Sequence, residues 1–294
     1  MATLSFLHSQ WFVEPPVPTH DFSGQTVIVT GANRGIGYEA IRHLLRLNAA
    51  TVILAVRSVS RGNEAAAALH SATGRSGAVK IYELDMGNQE SVKKFAAQME
   101  DLDRLDAVLL NAGIYTQDFE FVDGHESTLT INVINTFLLA MLLVPTLRKS
   151  SQSWNIAPRI SIVASDRHVM TNLPEWKAEN TFQLLNDEKK AKMNDRYYVS
   201  KLLQILLGRE LAKRLGDPRR RSAGASRIIL NSFTPGYCFS GLTEKAHSVT
   251  AFGFWLLKKA TARSTEVGGR TLVAAIAKGE ESHGKYLNDC EVDE

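Results

Sequence analysis

The chain predicts an α/β fold: a single doubly wound parallel sheet of about seven strands, with helices on both faces. Three observations carry that expectation. Short apolar, β-branched runs alternate with stretches of helical periodicity over almost the whole length. The first run, Thr26–Thr30, passes directly into a glycine-bearing turn, Gly31-Ala32-Asn33-Arg34-Gly35-Ile36-Gly37, and then into a helical pattern. No Pro-, Gly- or Ser-rich linker and no internal repeat divides the chain, so residues 23–294 read as one domain behind an N-terminal arm, residues 1–22.

The elements follow in order. Thr26–Thr30 has the continuous apolar character of a strand buried on both faces. Tyr38–Leu47 sets Ile41, Leu44, Leu45 and Leu47 on one side of a helix, with Arg42 and Arg46 between them. Thr51–Val56 is a strand, Ser60–Ala72 an alanine-rich helix closed by Gly74, Val79–Glu83 a strand and Gln89–Glu100 a helix. Ala107–Leu110 is the fourth strand. A long helix runs from about His125 to Leu147, and its apolar second half belongs inside the protein. Arg159–Val163 is the fifth strand. Arg196–Leu215 is a helix ended by Gly216 and Pro218. Ile228–Phe233, a helix at about Ser264–Ala277 and a short strand Lys285–Leu287 complete the pattern.

Composition narrows the function classes. Apolar content of 44% and charged content of 22% are those of an ordinary globular chain with a sizeable core. A net charge of +3 over 294 residues calls for no nucleic-acid partner. The densest basic run, Arg219-Arg220-Arg221 after Lys213 and Arg214, sits beside Pro218 and Gly224 and reads as a solvated loop. Two cysteines, Cys238 and Cys290, with no Cys-x-x-Cys pair, fit a reducing, cytoplasmic setting. Eight histidines show no His-Glu-x-x-His or paired Cys/His spacing, so nothing argues for a metal. Residues 1–22 lack the basic start and apolar core of a signal peptide, and no apolar run reaches the ~20 residues that span a bilayer.

Ligands of such sheets bind beyond the carboxyl ends of the strands, so the residues there are the candidates. Gly31, Gly35 and Gly37 let backbone approach a phosphate at a helix N-terminus. Arg57, ending the second strand twenty positions beyond Gly37, stands where a carboxylate would suit a ribose 2′-hydroxyl; an arginine suits a 2′-phosphate instead, and Arg34 adds a second cation. Asp85-Met86 ends the third strand and Asn111-Ala112-Gly113 the fourth. Asn132 precedes the apolar half of the long helix. Ser165 ends the fifth strand, with Ser161 as its rival. Tyr197 and Lys201 lie four apart and share a helix face, whereas Tyr198 has no lysine one turn on. Pro235-Gly236 follows the sixth strand. Singly, each has a plain alternative: a solvated arginine, an N-cap aspartate, an ordinary Asn/Gly turn, a core-packed asparagine, a chance Tyr-x-x-x-Lys.

In this order and at these strand ends, the residues resemble the short-chain dehydrogenase/reductase family. Thr30–Gly37 looks like its glycine motif, Asn111-Ala112-Gly113 its Asn-Ala-Gly turn and Tyr197–Lys201 its active tyrosine and lysine. Asp123-Gly124-His125-Glu126 and His283–Leu287 are similar to the retinol-dehydrogenase-like branch and its fungal secondary-metabolism relatives. The resemblance implies a Rossmann-type fold and an NADP(H) cofactor held by Gly31, Asn33, Arg34, Gly35, Ile36, Gly37, Arg57, Asp85, Met86, Asn111, Ala112, Gly113, Tyr197, Lys201, Pro235 and Gly236. It implies Tyr197 as general acid or base, Lys201 lowering its pKa, Ser165 on the substrate oxygen and Asn132 holding a relay water. A non-hydride enzyme on the same cofactor site and an NADP-sensing module are the other readings. The expected substrate is a lipophilic carbonyl or alcohol of polyketide, terpenoid or steroid-like type. Its wall is expected in residues 236–262, from Phe239, Leu242, Phe252, Phe254, Trp255, Leu256 and Leu257, and Trp176, Phe182, Leu184 and Leu185 are expected to roof the pocket. A homodimer is left open.

Overall fold

The computed structural model describes residues 2–216, 227–243, 255 and 258–293. The strands of the main sheet are β1 (Thr26–Thr30), β2 (Thr51–Val56), β3 (Val79–Glu83), β4 (Ala107–Leu110), β7 (Arg159–Val163), β8 (Ile229–Phe233), β9 (Tyr286–Asn288) and β10 (Glu291–Asp293). The small hairpin β5 (Phe121–Val122) and β6 (His125–Glu126) stands apart. The helices are α1 (Ala2–Phe12), α2 (Gly35–Arg46), α3 (Val59–Thr73), α4 (Gln89–Gln98), α5 (Ser127–Trp154), α6 (Thr181–Leu185), α7 (Met193–Gly216) and α8 (Thr265–Ala277).

The sheet order is β10-β9-β8-β7-β4-β1-β2-β3, parallel throughout except for β10. Strand period sorts the apolar residues between two cores. Val27 and Val29 of β1, Val52 and Leu54 of β2 and Leu109 of β4 pack with Ile41, Leu44 and Leu69 of α2 and α3 and Leu272 and Ile276 of α8. Ile28, Ile53, Val108 and Leu110 face the other way, onto Phe95 of α4, Leu139 and Leu143 of α5 and Val199 and Leu203 of α7. The order reverses between β1 and its neighbours β4 and β2, which opens a crevice at their carboxyl ends.

The structure adds detail to the fold and corrects one helix start. The N-terminal arm begins as a helix, and the sheet gains an eighth strand because the C-terminus folds back antiparallel on β9. His125 and Glu126 are strand, not helix; α5 starts at Ser127, where Glu126 caps it by accepting from the N–H groups of Thr128 and Leu129 at 2.7 and 3.1 Å. It runs on to Trp154 through a π-helical stretch, Thr130–Ile134. By length and composition α5 suits a membrane, yet it is mostly buried between the sheet and its neighbouring helices. The run Arg219-Arg220-Arg221 and the wall residues Phe252, Phe254, Leu256 and Leu257 lie outside the described residues.

Candidate active site

One cavity of about 550 Å³ occupies the crevice. Its lining includes Gly31, Asn33, Arg34, Gly35, Ile36, Gly37, Arg57, Asp85, Met86, Asn111, Ala112, Gly113, Ser165, Tyr197, Lys201, Pro235 and Gly236. The sequence candidates, scattered over two hundred positions, therefore meet in one place. Asn132 is fully buried behind the wall, and Ser161, buried within β7, does not reach the cavity. None of Trp176, Phe182, Leu184 and Leu185 lines it: Leu185 packs in the core, and Trp176 and Phe182 are exposed on the surface.

The glycine turn is shaped for an anion. Gly31 and Gly35 both have φ of +67°, left-handed backbone that side chains resist. A Cβ on Gly37 would lie 2.7 Å from Asn111 Nδ2 and 2.9 Å from Ala32 Cβ, so the first turn of α2 packs directly on the Asn-Ala-Gly turn. Thr30 and Asn111 bind the two together: Thr30 Oγ1 accepts from the N–H groups of Asn111 and Ala112, each at 3.0 Å, and Asn111 Nδ2 donates to Thr30 O at 2.8 Å. Helices α3, α4 and α8 are each closed by a capping side chain, from Ser58, Asn88 and Ser264, but α2 has none. Its first N–H groups and dipole are left for a ligand in the cavity, a fit for a diphosphate. Arg61, one turn beyond Arg57, and Ser58, the cap of α3, line the same cavity as Arg57 and Arg34. These groups suit a second phosphate.

At the other end stand the groups of chemistry. Tyr197 and Lys201 are buried on α7, with the Lys201 amine 5.5 Å from the Tyr197 ring centre. The Tyr197 hydroxyl hydrogen-bonds Ser165. Ser165 Oγ also accepts from Arg167 N–H at 3.2 Å and donates to Asp166 Oδ1 at 3.1 Å, which caps the short 3₁₀ turn after β7. Lys201 Nζ donates to Val163 O at 2.8 Å and to Gln204 Oε1 at 2.9 Å, and one N–H remains for the cavity. Burial raises the phenol well above its ordinary value, against the lowering pull of Ser165, and the same burial pulls the Lys201 amine down to about 7. The expected lowering of Tyr197 by Lys201 is thus absent among the protein's own groups: desolvation wins at both.

Asn132 is held by its neighbours. Its side chain is spent on the backbone of Ile114, with Oδ1 accepting at 2.9 Å and Nδ2 donating at 3.0 Å, and on Ser200 Oγ at 3.1 Å. Its main-chain carbonyl accepts from Gln204 Nε2 at 2.6 Å. Residues missed in the sequence complete the wall. Tyr115 packs edge-on to Tyr197 with ring centres 5.4 Å apart, and Tyr237 and Cys238 line the same cavity, as does Tyr198. Of the wall expected after Gly236, Leu242 lines the cavity, whereas Phe239 and Trp255 do not and are exposed. Arg61 and Gln204 were legible in principle, one helical turn from Arg57 and Lys201; Tyr115 and Tyr237 carry no local signal.

A parallel sheet with an uncapped, glycine-opened helix at its switch point, facing a buried Ser–Tyr–Lys set, defines a nucleotide-dependent oxidoreductase of Rossmann type. The comparisons agree. The short chain dehydrogenase family model matches residues 25–168. Short-chain dehydrogenase anuD of Penicillium roqueforti is 66% identical over 294 residues, covering 100% of this chain and 76% of that protein. Short chain dehydrogenase/reductase dmxR8 of Cryptosporiopsis sp. is 38% identical, covering 98% and 88%. Among solved structures, the Pseudomonas aeruginosa RhlG/NADP active-site complex has the same fold, with a TM-score of 0.67 at 23% identity, covering 92% of this chain and 96% of that one. The chain belongs to the short-chain dehydrogenase/reductase family.

Proposed function

We propose that the protein is an NADP(H)-dependent carbonyl reductase or alcohol dehydrogenase acting on a lipophilic small molecule, such as a polyketide or terpenoid intermediate of secondary metabolism. One observation carries the reading: Ser165, Tyr197 and Lys201 share a cavity with the uncapped N-terminus of α2 and with Arg34, Arg57 and Arg61. The α2 turn would hold the cofactor's diphosphate, the arginines its 2′-phosphate and the remaining Lys201 N–H its nicotinamide ribose. NADPH supplies the hydride, which no side chain can.

The chain's own groups supply the rest. Tyr197 keeps its proton at neutral pH and would be the acid toward a carbonyl oxygen in reduction; burial makes it a weaker donor than a free phenol, so Ser165 and the bound cofactor would have to offset that. Ser165, hydrogen-bonded to Tyr197, is placed to share that oxygen. Tyr115 and Tyr198 stand beside Tyr197, and Tyr237 and Leu242 line the same cavity, which supports a lipophilic substrate. The test is NADPH consumption, followed by absorbance at the reduced nicotinamide band, over a panel of aryl and alkyl carbonyls. Turnover that is stronger with NADPH than with NADH and with lipophilic carbonyls supports the proposal. NADPH binding without any hydride transfer would return the protein to the non-hydride alternatives.

A further inference from the structure

Gln204 follows Lys201 by three positions on α7 and is 1% exposed. Both ends of its amide are engaged. Nε2 donates to the Asn132 carbonyl at 2.6 Å, and Oε1 accepts from Lys201 Nζ at 2.9 Å. Each contact fixes the sense of the other, because a carbonyl can only accept and an ammonium can only donate. Asn132 is itself immobilised by Ile114 and Ser200. The amine is thus tied on one side to Val163 O of β7 and on the other, through Gln204, to the π-helical stretch of α5.

We propose that Gln204 is the positioning residue of Lys201: a direct side-chain bridge from the Asn132 carbonyl to the Lys201 amine that aims the amine's remaining N–H into the cavity. This rests on the oxidoreductase reading for its catalytic consequence, but not for the bridge itself. An amide has no proton to give or take near neutral pH, so the bridge orients the amine without passing protons to Asn132.

The groups facing the amine are few. Tyr197 is on its own helix, Ser165, Asp166 and Arg167 lie beyond β7 and bear on Tyr197, and Asn132 on α5 brings no charge. No carboxylate shifts Lys201 among the described residues; burial alone lowers it. Its charged form therefore depends on the two acceptors, Val163 O and Gln204 Oε1.

The test follows the Lys201 amine by NMR of lysine-labelled protein across pH, in the wild type, Gln204→Met and Gln204→Glu. Methionine keeps the bulk and deletes the acceptor, so the titration midpoint should move down. Glutamate puts a carboxylate at the amine, so the midpoint should move up. NADPH affinity is read by fluorescence and turnover with 4-nitrobenzaldehyde as a fixed probe. Gln204→Met should lower kcat about tenfold or more, as expected for losing a hydrogen bond to a charged group, and its kcat–pH profile should move with the NMR midpoint. If Gln204→Met does not fold, Gln204→Glu carries the test alone. An unchanged Lys201 midpoint and unchanged pH profile, with only thermal stability lost, would make Gln204 a packing residue and overturn the proposal. A wild type that turns over no carbonyl, while the midpoint still moves in opposite directions in the two variants, keeps the bridge and sinks the oxidoreductase reading instead.

Discussion

Tyr197 and Lys201 are pushed in opposite directions by one cause, burial, and both end nearer their neutral forms. A neutral phenol beside Ser165 is a proton donor in waiting, so removing its hydroxyl should remove the chemistry and spare the binding. Tyr197→Phe is expected to lower kcat by ~10²–10⁴-fold while NADPH affinity, measured by fluorescence titration, stays within a few-fold. Tyr198 lines the cavity as well, but it has no lysine one turn on; Tyr198→Phe should alter KM more than kcat. Full turnover by Tyr197→Phe would refute the assignment. At the far end, Arg57 and Arg61 lie within one turn of each other at the cap of α3. Arg57→Asp deletes one phosphate partner and adds a repelling charge, so the NADPH-to-NADH preference should fall by about tenfold or more. Steady-state kinetics with both cofactors decides it, and an unchanged ratio would remove Arg57 from the cofactor site.

At the scale of elements, the site depends on two turns packed without room to spare. The Gly37 Cα faces Ala32 and Asn111 so closely that Gly37→Ala has to push α2 away from the Asn-Ala-Gly turn. Overpacking of that kind costs ~1–3 kcal/mol, readable as a lower urea midpoint, and NADPH affinity should weaken with it because the helix N-terminus moves. A variant with wild-type stability and affinity would show that the contact relaxes freely. These elements were legible for a physical reason. Parallel strands buried on both faces leave continuous apolar runs, and the glycine turn must be written in glycines. What the sequence hid is where a residue's role depends on distant partners. Arg263 looks like any arginine, yet its guanidinium ties the Ser9 and Val13 carbonyls of the N-terminal segment to Asp289, at 2.7, 2.8 and 2.7 Å. So a segment with three prolines and no strong periodicity read as an arm, although α1 docks as a helix over the Pro235-Gly236 turn, where Gln10 accepts from Tyr237 N–H at 3.2 Å. Likewise β10 has only three residues, all exposed, and shows no burial pattern to read.

For the whole molecule, the buried groups predict an unusual dependence of stability on pH. Lys201 has a folded pKa of about 7 against an unfolded value of 10.5. Between those limits the unfolded chain holds a proton that the folded chain has shed, so stability rises with pH, by up to about 1.4 kcal/mol per pH unit. The buried acids act with the opposite sign. Burial raises Cys238 to about 12 and Cys290 to about 11 from 9.0, and Tyr237 to about 12 from 10.0, while Tyr197 and Tyr286 are raised as well. Each keeps its proton in the folded state after the unfolded chain has lost it, and stability falls as pH climbs past 9 to 10. The expected curve climbs from pH 7, peaks near pH 9 and then drops, where most proteins are already declining. Urea unfolding at half-unit steps from pH 6.5 to 10.5 would trace it. Lys201→Met should flatten the rising limb, since the variant has no amine to discharge, and Cys238→Ala should shrink the fall without touching the rise. A rising limb that survives in Lys201→Met would mean that the amine is already solvated in the folded protein, and that the cavity around Tyr197 is wetter than its packing implies.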